Sequence, residues 1–564
     1  MKEKRYVRRL YTSEGERLSG TPWNEYPRPQ MRRGEWLCLN GEWDLETENA
    51  KGKILVPFCP ESLLSGWTGK IQVGEKLRYE RTFCVPDGWR GKRILLRFGA
   101  VSRACEVFVN GSSACRHDDA YLPFSADITD LLTDGENVLS VCAVNDLSPA
   151  YPYGKQKKDR GGMWYTPVSG IWQTVWLEPV PEKYIKEIKI SCDMRGAFVM
   201  LDGVTDGKIS CGGREYDVKD GAARIEPADP KLWSPESPYL YEFTVRSGDD
   251  EVRSYFALRE LSEKEVGGVS RLCLNGEPYF FNGLLDQGYF SDGIYTPATP
   301  TAFEDDIKYL KSLGFNTLRK HIKIEPERFY YDCDRLGMIV FQDMVNSGKY
   351  SFWHDTIMPT LGVKNVDDRQ LNADEATRKN FILSTEETVK TLFDHPCVCL
   401  WTIFNEGWGQ FCADEMYDKI KSLDGSRFID STSGWFCQNK SDVDSRHIYF
   451  GRLNFKKPSG KPRFLSEFGG YVFKVADHSF NVKKTYGYKI FKTREAFVNA
   501  LRSVYLDEIV PLVKDGLCGA ILTQVSDVED ETNGLLTYDR KVKKITPDEF
   551  ADVSRAINEA LRGD

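Results

Sequence analysis

Residues 401–407 read WTIFNEG, and residues 463–470 read RFLSEFGG. In each stretch a short apolar run leads to a glutamate, Glu406 or Glu467, and a glycine follows within two residues. A short apolar run is typical of a buried parallel strand, and glycine is typical of the point where the backbone leaves the strand. The two stretches therefore predict two carboxylates at the ends of buried strands.

Strand-like and helix-like segments alternate from about residue 263 onward. In the segment 303–313 apolar side chains recur at helical spacing, and Gly314 follows as a C-terminal cap. Candidate strands begin near residues 279, 316, 338, 398, 428, 447, 464 and 518. This alternation predicts a (β/α)8 TIM barrel over residues 263–564. Glu406 then ends strand four and Glu467 ends strand seven, so both carboxylates open at the C-terminal face, where barrel enzymes have their sites.

The chain before the barrel is predicted to be all-β. Residues 1–182 contain many short alternating runs, such as 93–98, separated by turn signals such as Asn110-Gly111. With almost no helical pattern, they predict a jelly-roll β-sandwich. Residues 183–262 contain roughly seven short strand-like runs and no cluster of catalytic residue types. We expect them to form an immunoglobulin-like β-sandwich that holds the other two domains in register.

Two loops are candidates for the border of a pocket. Residues 161–172 read GGMWYTPVSGIW, which is either a packed connection that locks domains together or a wall of the active site. Residues 349–365 are long and mixed in composition, as loops that cover pockets often are. The sequence leaves both interpretations open.

Composition and charge disfavour several classes of protein. The chain of 564 residues is 41% hydrophobic and 28% charged, which is a globular composition, and its net charge of −8 argues against nucleic acid as a partner. No run of about 18 apolar residues is present to span a membrane. The charged start of the chain lacks a signal-peptide pattern, and the 15 cysteines include no Cys-x-x-Cys cluster. These features favour a cytoplasmic protein with reduced thiols and no metal or cofactor.

Polar and aromatic side chains follow several other predicted strands. Because the carboxyl ends of barrel strands meet at one face, we expect these side chains near the two glutamates. For the histidines, the tyrosine and the tryptophan, a packed structural role is the alternative to a role in the site. The residues are Asp286, Gln287, Arg319, His321, Asp343, Trp435, His447, Tyr449 and Gln524.

Asn-Glu at the end of strand four and a glutamate at the end of strand seven resemble the arrangement of clan A glycosidases. The order of a jelly-roll, sugar-binding-like domain, an immunoglobulin-like module and a barrel is similar to glycoside hydrolase family 2, which includes β-galactosidases, β-glucuronidases and β-mannosidases. The resemblance covers nearly the whole chain. It is also carried by NGEW at 40–43, YERTF at 79–83, GIWQ at 170–173 and LR at 318–319.

The resemblance implies an exo-acting, retaining double displacement on terminal β-linked sugars. Glu406 would be the general acid/base and Glu467 the nucleophile, with carboxyl groups about 5 to 5.5 Å apart. Asn405 would hydrogen-bond the sugar 2-hydroxyl, and Arg319 would orient Glu467 and keep it ionised. Tyr449 is a candidate donor to Glu467.

Two departures from the family pattern bear on the sugar. The His-Glu stretch of better-known members is replaced by GLLDQGY at 283–289, where Asp286 and Gln287 are candidates for binding sugar hydroxyls. The Asn-x-Lys motif that gut β-glucuronidases use for the uronate carboxylate is not evident at its usual position. Trp435 and Gln524 are candidate walls of the sugar pocket. β-Galactosidase-like activity is the first hypothesis, and β-glucuronidase or another β-glycosidase specificity is the second.

Two other functional classes are open to test. A non-catalytic carbohydrate-binding protein with this fold would be marked by the loss of either glutamate, and both are present. A lyase or aldolase barrel would need a Schiff-base lysine or a metal cluster at the strand ends, and neither stands out in the sequence. The expected partner is a small-molecule β-glycoside, without nucleic acid or membrane, and the resemblance adds a homo-oligomer as an expectation.

Overall fold

The computed structural model describes residues 6–358, 366–455 and 460–562 of the chain. Two β-sandwiches precede a barrel of parallel strands, so the predicted multidomain fold class is confirmed. The domain boundaries at residues 182 and 262 stay predictions. Among the helices described, each is too short or too polar to cross a bilayer.

The first sandwich contains two main antiparallel sheets. Strand Gly41–Glu46 alternates buried and exposed side chains, which is the pattern of a strand with one face on a core. Trp43 and Tyr79 lie in this core. The six-stranded sheet has the order Lys51–Val56, Gly41–Glu46, Lys76–Cys84, Glu136–Val144, Ala104–Val109 and Ser112–Asp118. The four-stranded sheet has the order Leu37–Cys38, Val175–Val180, Arg93–Phe98 and Phe124–Asp127, and a short pair joins Gly170–Ile171 to Val101–Ser102.

The second sandwich is smaller and has a core of its own. Ile209, Phe243 and Val245 are buried between its two sheets. One sheet contains Glu187–Cys192, Ala197–Asp202 and Ala222–Ile225. The other contains Arg214–Val218, Gly207–Cys211, Tyr241–Ser247 and Asp250–Phe256. A three-stranded sheet then leads into the barrel, with strands Leu261–Val266, Val269–Leu274 and Glu277–Pro278.

The barrel contains eight strands that pair in parallel. We number them one to eight along the chain: Phe281–Asp286, Thr317–Lys320, Ile339–Asp343, Val398–Thr402, Phe428–Asp430, Asp444–Ile448, Arg463–Gly469 and Leu517–Thr523. The order in the sheet is five, four, three, two, one, eight, seven, six, so strands five and six are the edges of a nearly closed barrel. Strand seven pairs with strand eight and strand one with strand two, as a TIM barrel requires.

Helices follow most of the barrel strands. Asp374 accepts a hydrogen bond from the Thr377 N–H and so caps the start of the helix Glu375–Leu392. Gly337 ends another helix in the left-handed conformation that glycine adopts readily. The helices are Thr301–Ser312, Glu327–Leu336, Glu375–Leu392, Ala413–Leu423, Arg494–Ser503, Val510–Lys514 and Pro547–Arg562, with a π-helical turn at Val504–Ile509 and a short helix at Ser13–Glu16.

The two glutamates differ in their relation to the strands. Strand four ends at Thr402, and Glu406 lies in the turn beyond it, so this glutamate does not end the strand itself. Glu467 lies within strand seven, which continues to Gly469. Strand six begins at Asp444, three residues before the predicted start, because its first residues pair with the start of strand seven.

A buried carboxylate joins the second sandwich to the barrel. Asp334, on a barrel helix, is fully buried. It accepts hydrogen bonds from the Tyr255 hydroxyl of the sandwich at 2.7 Å, from His395 Nδ1 at 2.8 Å and from the Cys397 N–H at 2.7 Å. Each of these donors is itself buried, so the carboxylate satisfies three groups that have lost contact with water.

We expect Asp334→Ala to lower the free energy of unfolding by about 3 kcal/mol, because buried donors lose their acceptor. The measurement is urea denaturation followed by fluorescence, with Asp305→Ala as the control, since Asp305 is exposed on a neighbouring helix. Equal unfolding curves for the two variants would contradict a stabilising role of this carboxylate.

Candidate active site

The turn after strand four and the body of strand seven bring the two glutamates together. Oxygen atoms of Glu406 and Glu467 lie within 4.8 Å of each other. The Glu406 N–H donates to the Ser433 carbonyl at 3.2 Å. Glu406 has a φ of 54°, in the left-handed region that is unfavourable for a residue with a side chain. Backbone strain of this kind is often found where a side chain is held for function.

A pocket of about 560 Å³ opens beside the two glutamates. It lies at the C-terminal face of the barrel, because most of the side chains that line it come from the ends of the barrel strands and the loops after them. Aromatic rings form much of the wall, and Trp164 packs edge-on against Tyr350 at 4.9 Å and Trp408 at 5.1 Å. Rings suit a sugar because its C–H faces stack on them.

Glu467 is held by donors on two sides. Arg319 Nη1 donates to its Oε1 at 3.1 Å, and the Tyr449 hydroxyl donates to its Oε2. Burial alone would raise the pKa of Glu467, but His447 and Arg319 lower that pKa to about 2. The carboxylate is therefore ionised at neutral pH, as a nucleophile must be.

Arg319 connects Glu467 to other side chains of the site. It is buried, its Nε donates to Asp343 at 2.9 Å, and its Nη2 donates to Asn405 Oδ1 at 2.8 Å. Because the oxygen of Asn405 is occupied in this way, its amide N–H groups are the ones left to donate to a molecule in the pocket.

His321 presents a hydrogen-bond acceptor to the pocket. Burial and the nearby charge of Lys155 lower the pKa of His321 to about 4, so the ring is neutral at pH 7. Its Nδ1 lies 2.6 Å from an oxygen of Asp343, whose own pKa stays low beside Arg319 despite burial. Nδ1 therefore carries the proton. The Nε2 atom is buried without a partner in the described part of the chain, and it can accept from a sugar hydroxyl.

His447 lies between the two glutamates. Its Nδ1 is 2.8 Å from Glu406 Oε1 and 3.7 Å from Glu467 Oε2, while Nε2 is 3.1 Å from the Ser433 hydroxyl. In the described ranges these three side chains are close enough to hold a metal ion, a grouping that the sequence did not predict. The guanidinium of Arg319, 3.1 Å from Glu467, disfavours a second cation there.

Half of the predicted site residues line the pocket, and the others lie behind or outside its wall. Arg319, Asp343 and His447 contact lining residues from behind, and Gln524 accepts from Gln287 at 3.0 Å. Asp286 accepts a hydrogen bond from Lys320 Nζ at 2.5 Å and does not line the pocket. Trp435 does not line it either, and the centroid of its ring lies 6.4 Å from that of His447. Those that line the pocket are Gln287, His321, Asn405, Glu406, Tyr449 and Glu467.

The two candidate border loops have distinct roles. In the stretch 161–172, Met163 and Trp164 line the pocket, while Trp172 is buried and packs against Tyr295 of the barrel. This stretch is therefore both a wall and a domain connection. Tyr350 lines the pocket from the second loop, and residues 359–365 lie outside the described residues.

Several other residues that line the pocket were not predicted from the sequence. Trp408 is two residues beyond Glu406, so the position in the turn was a usable signal. The acidic run DVEDE at 527–531, after strand eight, was also a usable signal, because it contains Glu531. No local pattern points to Lys155. The missed residues are Lys155, Leu285, Trp408, Tyr486, Tyr488, Thr523 and Glu531.

Comparison with known proteins agrees with this arrangement. Residues 71–181 match the sugar-binding domain of glycosyl hydrolases family 2, residues 201–259 match a second domain of that family, and residues 269–456 match its TIM barrel domain. The chain belongs to glycoside hydrolase family 2. This confirms the resemblance that the strand-end glutamates carry.

Curated relatives of this family member have two different names. A putative β-glucuronidase of Formosa agariphila is 25% identical over 450 residues, covering 76% of this chain and 40% of that protein. A β-galactosidase of Aeromonas hydrophila is 26% identical over 396 residues, covering 63% of this chain and 36% of that protein. The chain thus spans less than half the length of these two relatives.

Solved structures of similar fold match over nearly their whole length. A β-D-glucuronidase of Dictyoglomus thermophilum has a TM-score of 0.72 at 18% identity, covering 94% of this chain and 98% of that one. A family 2 β-galacturonidase of Eisenbergiella tayi has a TM-score of 0.68 at 20% identity, covering 94% and 99%. At these identities the likeness shows the shared fold.

We expect the protein to lose stability on acidification through His321. Its pKa is about 4 in the folded chain against an ordinary value of 6.5, so the unfolded chain binds the proton more readily across that window. Stability therefore falls as pH falls from 6.5 toward 4, by about 2 kcal/mol between pH 7 and pH 5. Glu467 adds a further loss only below its ordinary pKa of 4.5.

The measurement is urea unfolding at both pH values for the natural protein and for His321→Gln. The variant lacks the titrating ring, so its loss of stability on acidification should be smaller by that amount. An equal loss in both proteins would show that His321 is not held neutral.

Proposed function

We propose that this protein is an exo-acting, retaining β-glycosidase. The observation that carries the proposal is the pair of glutamate oxygens within 4.8 Å at the pocket, with one carboxylate held ionised. This spacing is close to the separation of about 5 to 5.5 Å that lets one carboxylate attack the sugar directly, whereas inverting enzymes need room for a water.

In the first step, Glu467 attacks the anomeric carbon and Glu406 donates a proton to the departing glycosidic oxygen. A glycosyl-enzyme ester forms and the aglycone leaves as an alcohol. The developing positive charge at the anomeric carbon is met by the carboxylate of Glu467, which Arg319 and Tyr449 hold in place. The amide of Asn405 is available to donate to the 2-hydroxyl.

In the second step, Glu406 takes a proton from a water that attacks the anomeric carbon. The ester bond to Glu467 breaks, and the sugar leaves with the configuration it had in the substrate. Both displacements use the same two side chains, so no additional cofactor is required by this mechanism.

A terminal sugar suits the shape of the site. The pocket is walled on one side by the cluster of Trp164, Tyr350 and Trp408, which would obstruct a chain that continued in that direction. Gln287 and His321 add polar groups for hydroxyls. These features support hydrolysis at the end of a glycoside rather than within a polymer.

For the sugar itself, we propose a β-galactoside-like substrate first. Polar amide and imidazole acceptors on the pocket wall suit hydroxyls. A β-glucuronide is the second candidate, because Lys155 lines the pocket with a positive charge that attracts a carboxylate. The similarity in fold to a β-D-glucuronidase is consistent with this second candidate.

The first test is release of nitrophenol from a panel of p-nitrophenyl β- and α-glycosides. We expect one β-glycoside to be hydrolysed and Glu467→Gln to abolish that hydrolysis, because the amide is not a nucleophile. Glu415→Gln, on an exposed helix position outside the pocket, is the control. Binding of a glycoside without hydrolysis of any would favour the non-catalytic carbohydrate-binding alternative.

The second test separates the roles of the two glutamates. Glu406→Gln should lower kcat/KM on alkyl glycosides by about 10²- to 10⁴-fold, since these leaving groups need a proton. The loss should be much smaller with a dinitrophenyl glycoside, which leaves unaided, and added azide should restore turnover and yield the β-glycosyl azide. A uniform loss across leaving groups would contradict an acid role for Glu406.

A further inference from the structure

The loop after strand eight carries a third carboxylate to the pocket. Glu531 lines the pocket and is only 4% exposed. Its backbone closes a tight turn with Val528, through N–H to carbonyl bonds of 2.8 and 2.9 Å in the two directions. Asn533 Nδ2 donates to Glu531 Oε1 at 3.1 Å, and Gln524 Nε2 donates to Asn533 Oδ1 at 2.8 Å. The carboxylate is therefore held in one position.

The first sandwich fixes the other side of Glu531. The buried hydroxyl of Tyr165 donates to its Oε2. A carboxylate offers about four acceptor positions, and Tyr165 and Asn533 take two of them. The remaining positions lie on a side chain that lines the pocket, so they are available to the hydroxyl groups of a bound sugar.

The ionisable groups of the pocket wall are mainly acidic. Three carboxylates line it, those of Glu406, Glu467 and Glu531. Among the lining residues that the structure describes, Lys155 is the only lysine or arginine. Burial raises the pKa of Glu531, and the positive charge of Lys155 offsets only part of that rise. Lys155 also helps His447 and Arg319 to lower the pKa of Glu467. A carboxylate on the ligand would lie close to the ionised Glu467 and to Glu531, with Lys155 as its one basic neighbour among the described lining residues.

We propose that Glu531 selects the sugar: it binds hydroxyl groups of a neutral glycoside and excludes a uronic acid. This inference rests on the proposed function for its substrate class, and it decides between the two candidate sugars. A carboxylate that accepts from a hydroxyl discriminates between sugars, because a ligand without the hydroxyl leaves the remaining acceptor positions of this buried group without a donor. A uronate would bring a further carboxylate against Glu531 and Glu467, both of which are buried.

A neighbouring residue provides a matched control. Glu529 is on the same loop and also joins the first sandwich, by accepting from the Thr166 N–H at 3.0 Å and from Arg160 at 3.2 Å. It is buried like Glu531, yet it does not line the pocket. Glu529→Gln therefore perturbs the contact between loop and sandwich without changing the charge of the pocket wall.

The experiment measures kcat/KM for p-nitrophenyl β-D-galactoside and β-D-galacturonide, which differ only at C6, and for the corresponding glucoside and glucuronide. We expect the natural protein to prefer the neutral member. Glu531→Gln should lower the ratio of neutral to uronide by at least about tenfold, since the charge-assisted hydrogen bond and the repulsion are both lost. Glu529→Gln should change the ratio by less than about twofold.

A preference of the natural protein for the uronide would overturn the inference, as would equal ratios in the Glu531→Gln and Glu529→Gln variants. Titration calorimetry of the same intact glycosides with Glu467→Gln, alone and combined with Glu531→Gln, separates this inference from the proposed hydrolysis. A neutral preference in binding that Glu531→Gln removes would support the inference even if no glycoside were hydrolysed. Absence of binding to both neutral glycosides would also overturn it.

Discussion

The site depends on one buried guanidinium. Arg319 is 1% exposed, and it donates to Asp343, to the Ser466 carbonyl, to Glu467 and to Asn405. Its positive charge allows anionic side chains to remain ionised inside the barrel, where an unpaired carboxylate would take up a proton. The guanidinium also orients the side-chain amide of Asn405, because its Nη2 donates to Asn405 Oδ1. Arg319 thus affects both the ionisation of Glu467 and the orientation of Glu467 and Asn405 in the pocket.

The first sandwich is part of this pocket rather than an appendage to the barrel. Lys155, Met163 and Trp164 contribute to the wall, and Tyr165 holds a carboxylate of the strand-eight loop. Trp172 of the same stretch packs into the core below. A pocket built from a barrel and a second domain can change its lining through loop residues while the barrel residues stay the same.

Much of the architecture could be predicted from the sequence, because strand and helix periodicity are local properties. The apolar runs before Glu406 and Glu467 predicted a glutamate at the end of strands four and seven of a barrel, and in the structure Glu467 lies within strand seven and Glu406 in the turn after strand four. The turn that carries Glu406 was harder to predict, because its left-handed backbone depends on the bond to the Ser433 carbonyl, 27 residues away. The roles of Asp286 and Gln524 were also out of reach, since each depends on which buried partner it meets in the fold.

The sequence by itself determined that two carboxylates lie at the C-terminal face, because parallel strands in a barrel all present their ends to the same side. Only the tertiary structure decided which polar groups face the pocket. Lys155 and Glu531 come from segments almost 400 residues apart in the chain, and neither lies in a periodic pattern. Their meeting depends on how the sandwich docks on the barrel, which is set by packing and buried hydrogen bonds between distant segments rather than by local propensity.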